Sequence, residues 1–322
     1  MTRKPVWQPS ASQAALESRA QQLAFVRGFF ARRGVLEVET PILGRCGVTD
    51  VNLDGIHAQV TAGSTTGGWL QTSPEYHMKR LLAAGSGSIY QISRVFRNGE
   101  QGRRHNPEFS MLEWYRTGFD DVALMEEVSD LVCGWLQCQR PVTIQYRDAL
   151  ERWAGLDPFA ATDRELMRRC EQWMEPEQLA DLGRDSCLDL LMSFAVEPHL
   201  GRDRPVFITG YPASQASLAK VSLSQGYETT HRFELYIDGL ELCNGYWELT
   251  DPQEQRLRFE ADNQLRRHSG KPEMALDEAF LAGLEQGLPE CSGVALGLDR
   301  LLMLKLGVQD ISEVLAFPFE RA

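Results

Sequence analysis

The chain has 322 residues, of which 43% are hydrophobic and 24% charged, a composition typical of globular proteins that excludes a largely disordered chain. Its net charge is −12, and its basic side chains comprise 28 Arg and 5 Lys. Because an acidic chain repels polyanions on average, these numbers disfavour a protein that grips a long nucleic acid through its phosphates. The excess of arginine favours a small anionic ligand, or else reflects GC-rich coding.

Several other classes of protein are disfavoured. No apolar run reaches the ~18 to 20 residues of a spanning helix, and residues 1–10 lack the apolar core of a signal peptide, so we expect a cytoplasmic protein. The seven cysteines are scattered without a CxxC pair, which argues against a disulfide framework or a structural zinc site. Cys133 and Cys138 could form half of a metal site, but the residues between them are typical of a helix core. Neither a P-loop nor a convincing GxGxxG motif is present.

The first third of the chain alternates between helix and strand patterns. Apolar spacing predicts a helix over 12–33, which Ser10 or Ser12 can cap and which stops at Gly34, and alternation predicts a strand over 35–39. Residues 63–68 read as a loop, and a helix follows over about 76–84, with Pro74 suited to its first turn. Two further strands are predicted over 88–97 and 108–116.

The remaining chain is predicted to be mainly helical over 120–200, for example at 163–174 and 179–195. Strands return at 205–209 and 232–243. The tail reads as a strand over 291–295, a turn at Gly297 and a helix over 298–306. Strands among separate helical blocks predict an α+β fold around an antiparallel sheet.

A hairpin is predicted at Asp238-Gly239, a strong two-residue turn signal. Pairing 237 with 240 places 236 opposite 241 and 234 opposite 243, so Glu234, Tyr236 and Glu241 share one face. Glu234 and Glu241 then lie roughly 7 Å apart as diagonal neighbours. Two converging carboxylates indicate either a cation site or a solvated outer face, and Glu248 seven residues further on favours a site.

Arginines mark two further candidate sites. Arg94, Arg97, Arg103 and Arg104 surround the glycine-bearing loop 98–106, an arrangement suited to a clamp on phosphate. On the strand that follows, alternation places Phe109, Met111, Glu113 and Tyr115 on one face. Arg300 lies in the first turn of a helix, where a bound anion would offset its unfavourable dipole interaction; the alternatives are solvent or pairing with Asp299.

Three segments together resemble class II aminoacyl-tRNA synthetases. They are GVLEVETP at 34–41, RVFRN at 94–98 and GLDR at 297–300, which match motifs 1, 2 and 3 in order, at about 23–41, 90–116 and 291–306. Pro74-Glu75, the segment 104–109 and Asn244-Gly245 further resemble lysyl-tRNA synthetase. The resemblance implies one catalytic domain over 1–322, with an antiparallel sheet flanked by helices. Since only about 20 residues precede motif 1, we expect no N-terminal OB-fold, which needs five strands.

Other segments are similar to truncated paralogues of that enzyme. These are 7–10 (WQPS), 73–79 (SPEYHMK) and 212–218 (PASQASL). Such paralogues activate (R)-β-lysine with ATP and Mg²⁺ and attach it to a lysine of translation elongation factor P. The resemblance therefore implies an AMP-forming ligase, elongation factor P as the acceptor, no tRNA partner and, through motif 1, a homodimer.

Carried over residue by residue, the resemblance also implies the site. Arg97 and Arg300 become catalytic: Arg97 on the α-phosphate and the substrate carboxylate, and Arg300 on the far phosphates. The implied ATP site comprises Arg97, Asn98, Gly99, Glu100, His105, Asn106, Phe109, Glu241, Leu242, Gly297 and Arg300. Asn106 and Phe109 would frame the adenine, and Glu234 with Glu241 would hold Mg²⁺.

The implied amino-acid site comprises Ser73, Pro74, Glu75, Glu113, Tyr115, Asn244, Glu248 and Ala295. Glu75 would bind the backbone-side ammonium of the substrate, and Glu113, Tyr115 and Glu248 its side-chain ammonium. Asn244 would orient the carboxylate. Separate acidic pockets suit a diamino acid, because other amino acids would leave buried carboxylates unpaired.

The chain departs from the synthetase pattern at two positions. Gly99 stands where motif 2 has a glutamate, and the acid follows at Glu100. Ala295 stands where lysyl-tRNA synthetases have glycine; our hypothesis is that its methyl group favours an amino group on the β-carbon. Two alternatives stay open, a lysyl-adenylate-forming enzyme with another acceptor and a non-catalytic amino-acid sensor. Retention of Arg97, Arg300 and the paired glutamates disfavours the sensor.

Overall fold

A computed structural model describes residues 5, 7–62, 65–179, 182–224 and 226–322. Its α-helices are α1 (Gln13–Ala31), α2 (Glu75–Ala83), α3 (Asp121–Leu136), α4 (Tyr146–Ala149), α5 (Asp163–Cys170), α6 (Pro176–Leu179), α7 (Arg184–Leu191), α8 (Pro252–His268), α9 (Glu278–Gly287) and α10 (Leu298–Leu306). Short π-helical turns span Leu150–Ala154 and Met192–Val196, and 3₁₀ turns span Glu197–His199, Ala213–Gln215, Ile311–Glu313 and Phe319–Arg321.

The strands are β1 (Leu36–Glu37), β2 (Leu43–Gly44), β3 (Ile56–Ala62), β4 (Thr65–Leu70), β5 (Ile89–Phe96), β6 (Glu108–Thr117), β7 (Val142–Gln145), β8 (Val206–Thr209), β9 (Val221–Ser224), β10 (Tyr227–Thr230), β11 (Arg232–Ile237), β12 (Leu240–Trp247) and β13 (Cys291–Gly297). None of the helices in the described ranges is long and apolar enough to cross a membrane.

The chain divides into two compact units. Unit 1 comprises Met1–Phe119 and Thr250–Ala322, and unit 2 comprises Asp120–Leu249. In unit 1, strands pair in the order β1-β5-β6-β13, antiparallel except for β1 with β5, and β2-β4-β3 form a second sheet. In unit 2, strands pair in the order β12-β11-β8-β7, antiparallel except for β7 with β8, and β9 pairs with β10. The predicted α+β fold with mostly antiparallel strands is confirmed, and the single-domain division over 1–322 stays a prediction.

In unit 1, helix α1 covers one face of strands β5 and β6. Its predicted start is confirmed, since Ser12 caps it by accepting the backbone N–H of Ala15 at 3.1 Å. The buried Phe30 ring stacks on Tyr90 with centroids 4.4 Å apart and meets Trp114 edge-on at 5.4 Å. Because neighbouring residues of a strand alternate between faces, Glu113 and its row of β6 point to the opposite face.

The structure corrects several predicted boundaries. The strand expected over 35–39 shrinks to Leu36–Glu37, and the helix expected over 179–195 is α7 continued by a π-helical turn. Of the loop expected over 63–68, residues 63 and 64 lie outside the described residues and the rest belongs to β4. The glycines there allow close strand approach, because a Cβ on Gly68 would lie 2.9 Å from the carbonyl oxygen of Gly44.

The hairpin of β11 and β12 contains a bulge that the sequence pattern missed. The predicted turn is confirmed, since Asp238 and Gly239 both have positive φ, 54° and 66°. The pairs 237–240 and 236–241 also hold, but the register then shifts between Leu235 and Tyr236. Glu234 therefore lies opposite Asn244, and the predicted pairing with residue 243 is wrong.

Candidate active site

Glu113 is a buried carboxyl group in the middle of β6. Only 2% of the residue is exposed, and its two oxygens accept hydrogen bonds from the hydroxyls of Ser73 and Tyr115, each at 2.7 Å. Burial, and then the negative charge of Glu75, raise the pKa of Glu113 to about 8, against a smaller lowering by the two hydroxyls. A cation placed beside Glu113 would stabilise its ionised form, which burial disfavours.

Ser73 and Glu75 approach Glu113 from the start of α2. Pro74 precedes the first helical residue, Glu75, whose backbone N–H donates to Oγ of Ser73 at 3.0 Å. Ser73 therefore links the two acidic residues, because its hydroxyl group donates in turn to Glu113. The structure thus brings together four predicted substrate residues, Ser73, Glu75, Glu113 and Tyr115, within unit 1.

Lys79 joins this cluster, although the motifs assigned it no role. It lies one turn after Glu75 on α2, and its ammonium group donates to Oε1 of Glu75 at 2.6 Å. The i,i+4 spacing of an acid and a lysine is visible in the sequence and could have suggested the pair.

The neighbouring strand β13 presents small residues beside this cluster. Ala295 pairs with Glu113, Gly293 with Tyr115 and Gly297 with Met111. Paired residues share a face of the sheet, so the methyl group of Ala295 lies beside the Glu113 side chain. On this face, these three β13 residues carry nothing larger than a methyl group.

Arg97 lies where β5 meets the glycine-bearing loop. Its guanidinium carbon lies 5.2 Å from the centre of the Phe109 ring, and its Nη1 lies 3.7 Å from a carboxylate oxygen of Glu100. The left-handed Gly99, with φ of 79°, makes the turn between them. The buried Nε of Arg97 has no hydrogen-bond partner among the residues described. This N–H is therefore available to an anionic ligand.

Arg300 lies in the first turn of α10, as predicted, two residues after the helix start that follows Gly297. Its Nη2 lies 2.7 Å from Nε2 of His105, and its Nε contacts the carbonyl oxygen of Arg104 at 3.5 Å. Burial and the charge of Arg300 lower the pKa of His105, so the neutral imidazole accepts this hydrogen bond. The alternative pairing partner, Asp299, instead forms a salt bridge with Arg19 and accepts the backbone N–H of Ser110 at 2.7 Å.

Asn106 and Asn98 hold the loop in place. The Asn106 side chain donates to the carbonyl oxygen of Glu108 at 2.6 Å and accepts the backbone N–H of Phe319 at 3.0 Å. The backbone N–H of Asn98 donates to the carbonyl oxygen of Asp54 at 2.7 Å. Contact of Asn106 with adenine stays a prediction.

In unit 2, Glu234 is the centre of a buried hydrogen-bond cluster. Its Oε1 accepts from Arg232 at 2.5 Å and Asn244 at 3.2 Å, and its Oε2 accepts from Tyr211 at 2.5 Å and Tyr236 at 2.6 Å. Because a carboxylate has about four lone-pair positions, these donors use its capacity. Glu234 as placed therefore does not fit the role of a metal ligand. The bulge explains part of this arrangement, since it brings Asn244 opposite Glu234.

The other predicted residues of unit 2 are placed on or just after β12. Glu241 is half-buried opposite Tyr236, Leu242 is buried, and Glu248 is fully buried, with its backbone bridged to Ala219. Across the described ranges, no cluster of three or more His, Cys, Asp or Glu side chains could hold a metal ion. Cys133 and Cys138, whose sulfur atoms lie 3.5 Å apart, belong to no such cluster.

Comparison with known proteins identifies the family. A family model for tRNA synthetases class II (D, K and N) matches residues 6–321. The chain is 53% identical over 321 residues to the "Elongation factor P--(R)-beta-lysine ligase" of Proteus mirabilis and 50% identical over 321 residues to that of Edwardsiella ictaluri, in both cases with 98% of each chain covered. It is 48% identical over 327 residues to the protein of the same name from Klebsiella pneumoniae, with 100% of each chain covered. The chain therefore belongs to the class II tRNA synthetase family, as its three motifs predicted, and within it to the group of the elongation factor P–(R)-β-lysine ligases.

Proposed function

We propose that this protein is an ATP-dependent ligase that activates (R)-β-lysine as an adenylate and transfers it to the ε-amine of a lysine of elongation factor P. The observation that carries the proposal is the buried carboxyl of Glu113, linked through Ser73 to Glu75 and flanked by Ala295. The names of the relatives agree with this activity.

The two acidic residues explain why the substrate is a diamino acid. The ionised form of Glu113 is stable in its buried site only beside a cation, so an ammonium group binds there better than a neutral side chain. An ammonium group offers up to three N–H donors to such a carboxylate and compensates its charge. We assign the side-chain ammonium to Glu113 with Tyr115, and the amino group near the carboxylate to Glu75.

Arginine side chains supply the groups that bind phosphate. The available Nε–H of Arg97 and its planar guanidinium, held over Phe109, suit the α-phosphate and the attacking carboxylate. Arg300, at the N-terminal turn of α10, suits the far phosphates. These residues stabilise the charge that builds up as phosphorus is attacked.

The reaction has two steps. A carboxylate oxygen of (R)-β-lysine attacks the α-phosphorus of ATP, and the bond to pyrophosphate breaks. The neutral ε-amine of the acceptor lysine then attacks the carbonyl carbon of the anhydride, the bond to AMP breaks and the amine proton passes to solvent. Since the anhydride is already activated, holding the two reactants together supplies most of the rate acceleration of the second step.

Mg²⁺ stays a prediction. Because hydrogen bonds saturate Glu234, the donor set does not fit a metal ion held in advance by the two predicted glutamates. We propose instead that Mg²⁺ enters with the phosphates of ATP, a common binding mode for this ion, and that Glu241 is its protein ligand.

We further propose that the protein is a cytoplasmic homodimer that does not charge tRNA. Leu36, Ile42 and Leu43, in and after the motif 1 segment, are 57%, 43% and 41% exposed, which suits an apolar interface. The net charge of −12 suits an enzyme that binds no tRNA. Light scattering of the purified protein tests whether it is a dimer, and a tRNA charging assay tests whether it aminoacylates tRNA.

The decisive experiment is amino-acid-dependent exchange of pyrophosphate into ATP, with α-lysine and both enantiomers of β-lysine. Preference for (R)-β-lysine, followed by a mass increase of one β-lysyl group on elongation factor P, supports the proposal. The matched acceptor control carries arginine in place of the modified lysine and gains no mass. Exchange without transfer to elongation factor P favours another acceptor, and binding without exchange favours a sensor.

A further inference from the structure

Lys79 is a buried ammonium group that is in place before any substrate arrives. Only 1% of the residue is exposed, although lysine is among the residues least often buried. Its Nζ donates to Oε1 of Glu75 at 2.6 Å and lies 6.0 Å from the centre of the Phe280 ring. Because a buried ammonium is stable only when paired, this geometry holds Lys79 on Glu75.

The pairing leaves Glu75 with a single available oxygen. Oε1 is used by Lys79, while Oε2 accepts no hydrogen bond from any residue that the structure describes. The carboxylate also cannot turn freely, because Lys79 holds it from α2 and the backbone N–H of Glu75 is tied to Ser73 at 3.0 Å. The side chain of Glu75 is 16% exposed, so this oxygen remains accessible to a ligand.

We propose that Lys79 is a positioning residue for amino-acid specificity: it occupies Oε1 of Glu75 and so leaves one fixed oxygen to receive the substrate's amino group. This inference rests on the proposed function, which assigns Glu75 to that amino group. Moving the nitrogen from the β-carbon to the α-carbon displaces it by about one C–C bond, ~1.5 Å. A carboxylate with two free oxygens tolerates this displacement, whereas one fixed acceptor does not, since errors of about 1 Å strongly reduce reaction rates.

The test compares Lys79→Met, which keeps the aliphatic stem, with Lys79→Gln, which keeps an N–H donor without the charge. The matched control is Arg80→Met, which removes an exposed cation from the next position of α2. For each protein, kcat and KM are measured by pyrophosphate exchange with (R)-β-lysine and with α-lysine. Calorimetric Kd values for both amino acids provide a readout independent of catalysis.

We expect Lys79→Met to reduce the preference for (R)-β-lysine over α-lysine about 10-fold, mainly through KM. Lys79→Gln should keep more of that preference, and Arg80→Met should keep all of it. A purely structural role would lower the exchange of both amino acids equally, and an unchanged ratio in folded Lys79→Met protein overturns the inference. Should Lys79→Met not fold, Lys79→Leu, which also lacks an N–H donor, replaces it, and an unchanged ratio in that folded variant overturns the inference.

The outcomes also separate this inference from the proposed function. A wild-type enzyme that prefers α-lysine, but whose preference shifts in Lys79→Met, contradicts the proposed substrate and supports the role of Lys79. If the wild-type enzyme prefers (R)-β-lysine and the Lys79 variants keep the same preference, the proposed substrate is supported and the role of Lys79 is contradicted. A wild-type protein that binds neither amino acid overturns both.

Discussion

The hydroxyl group of Ser73 donates a 2.7 Å hydrogen bond to Oε2 of Glu113, joining the start of helix α2 to the middle of strand β6. The same oxygen of Ser73 accepts the backbone N–H of Glu75 at 3.0 Å. One serine therefore holds both acidic groups, and the ionisation of Glu113 affects the whole cluster.

The stability of the protein should depend on pH through Glu113. Burial raises the pKa of this carboxyl from 4.5 to about 8, so between these values the folded state holds a proton that the unfolded chain has released. The contribution of Glu113 to the free energy of unfolding is therefore fully present below about pH 4.5 and is lost as the pH rises to about 8. Urea unfolding measures the free energy of unfolding at pH 6 and at pH 8.5. Its decrease between these pH values should be larger for wild type than for Glu113→Gln. Glu108→Gln, at an exposed position of the same strand, should behave like wild type, and an identical loss in Glu113→Gln would contradict the prediction.

Substrate binding should show the opposite trend with pH. An ionised Glu113 attracts an ammonium group more strongly than a protonated one, so KM for (R)-β-lysine should fall as the pH rises from 7 to 8.5. Glu113→Gln should raise KM at least about 10-fold and remove this trend. Steady-state exchange kinetics across the pH range check both points. A trend that persists in Glu113→Gln would assign it to another group.

Substitution of Glu234 should reduce the stability of the protein, whereas substitution of Glu241 should change its Mg²⁺ requirement. Glu234→Gln removes the charge that compensates the partly buried Arg232, which should lower the free energy of unfolding by about 3 kcal/mol. Glu241→Gln should raise the Mg²⁺ concentration needed for half-maximal exchange. Thermal unfolding and a Mg²⁺ titration of each variant separate the two roles. An unfolding midpoint of Glu234→Gln equal to that of wild type would refute the role of Glu234 as the centre of its cluster.

Ala295 should influence which amino acid is accepted. Its methyl group lies beside Glu113 in a row otherwise made of Gly293 and Gly297, so Ala295→Gly adds space at that point. We expect this variant to lose about 10-fold of its preference for (R)-β-lysine over α-lysine, the scale of one methyl group in a close-fitting pocket. Exchange kinetics with both amino acids measure this ratio, and KM for ATP serves as the internal control. An unchanged ratio would exclude the hypothesis.

Arg97 should act in the chemical step. Lysine keeps the charge but not the planar fork or the stacking on Phe109, so Arg97→Lys should reduce kcat about 100-fold or more. The matched control is Arg94→Lys, three residues earlier on β5, where the side chain is half exposed and 3.7 Å from Glu108. Single-turnover adenylate formation measures both variants. Equal rates for the two would argue against a role of Arg97 at phosphorus.

The sequence by itself determined the features that depend on near neighbours along the chain. Ser12 caps α1, Asp238-Gly239 turns the hairpin, and alternation in β6 places Glu113 and Tyr115 on one face, where their side chains are hydrogen-bonded. Each of these follows from backbone geometry over a few residues, through a cap, a turn type or the period of a strand. The three motifs identified the family for the same reason, since each is a short local pattern.

Only the tertiary structure decided how the acidic side chains are used. Glu234 is saturated by Tyr211, 23 residues away, and by Asn244, which reaches it only because the bulge shifts the register. Lys79 lies four residues after Glu75 in the sequence, but its burial beside Phe280 of α9 makes the pairing obligatory. The physical reason is that a carboxylate's partners and pKa depend on which distant groups exclude water from it and donate to it. Spacing along the chain does not contain that information.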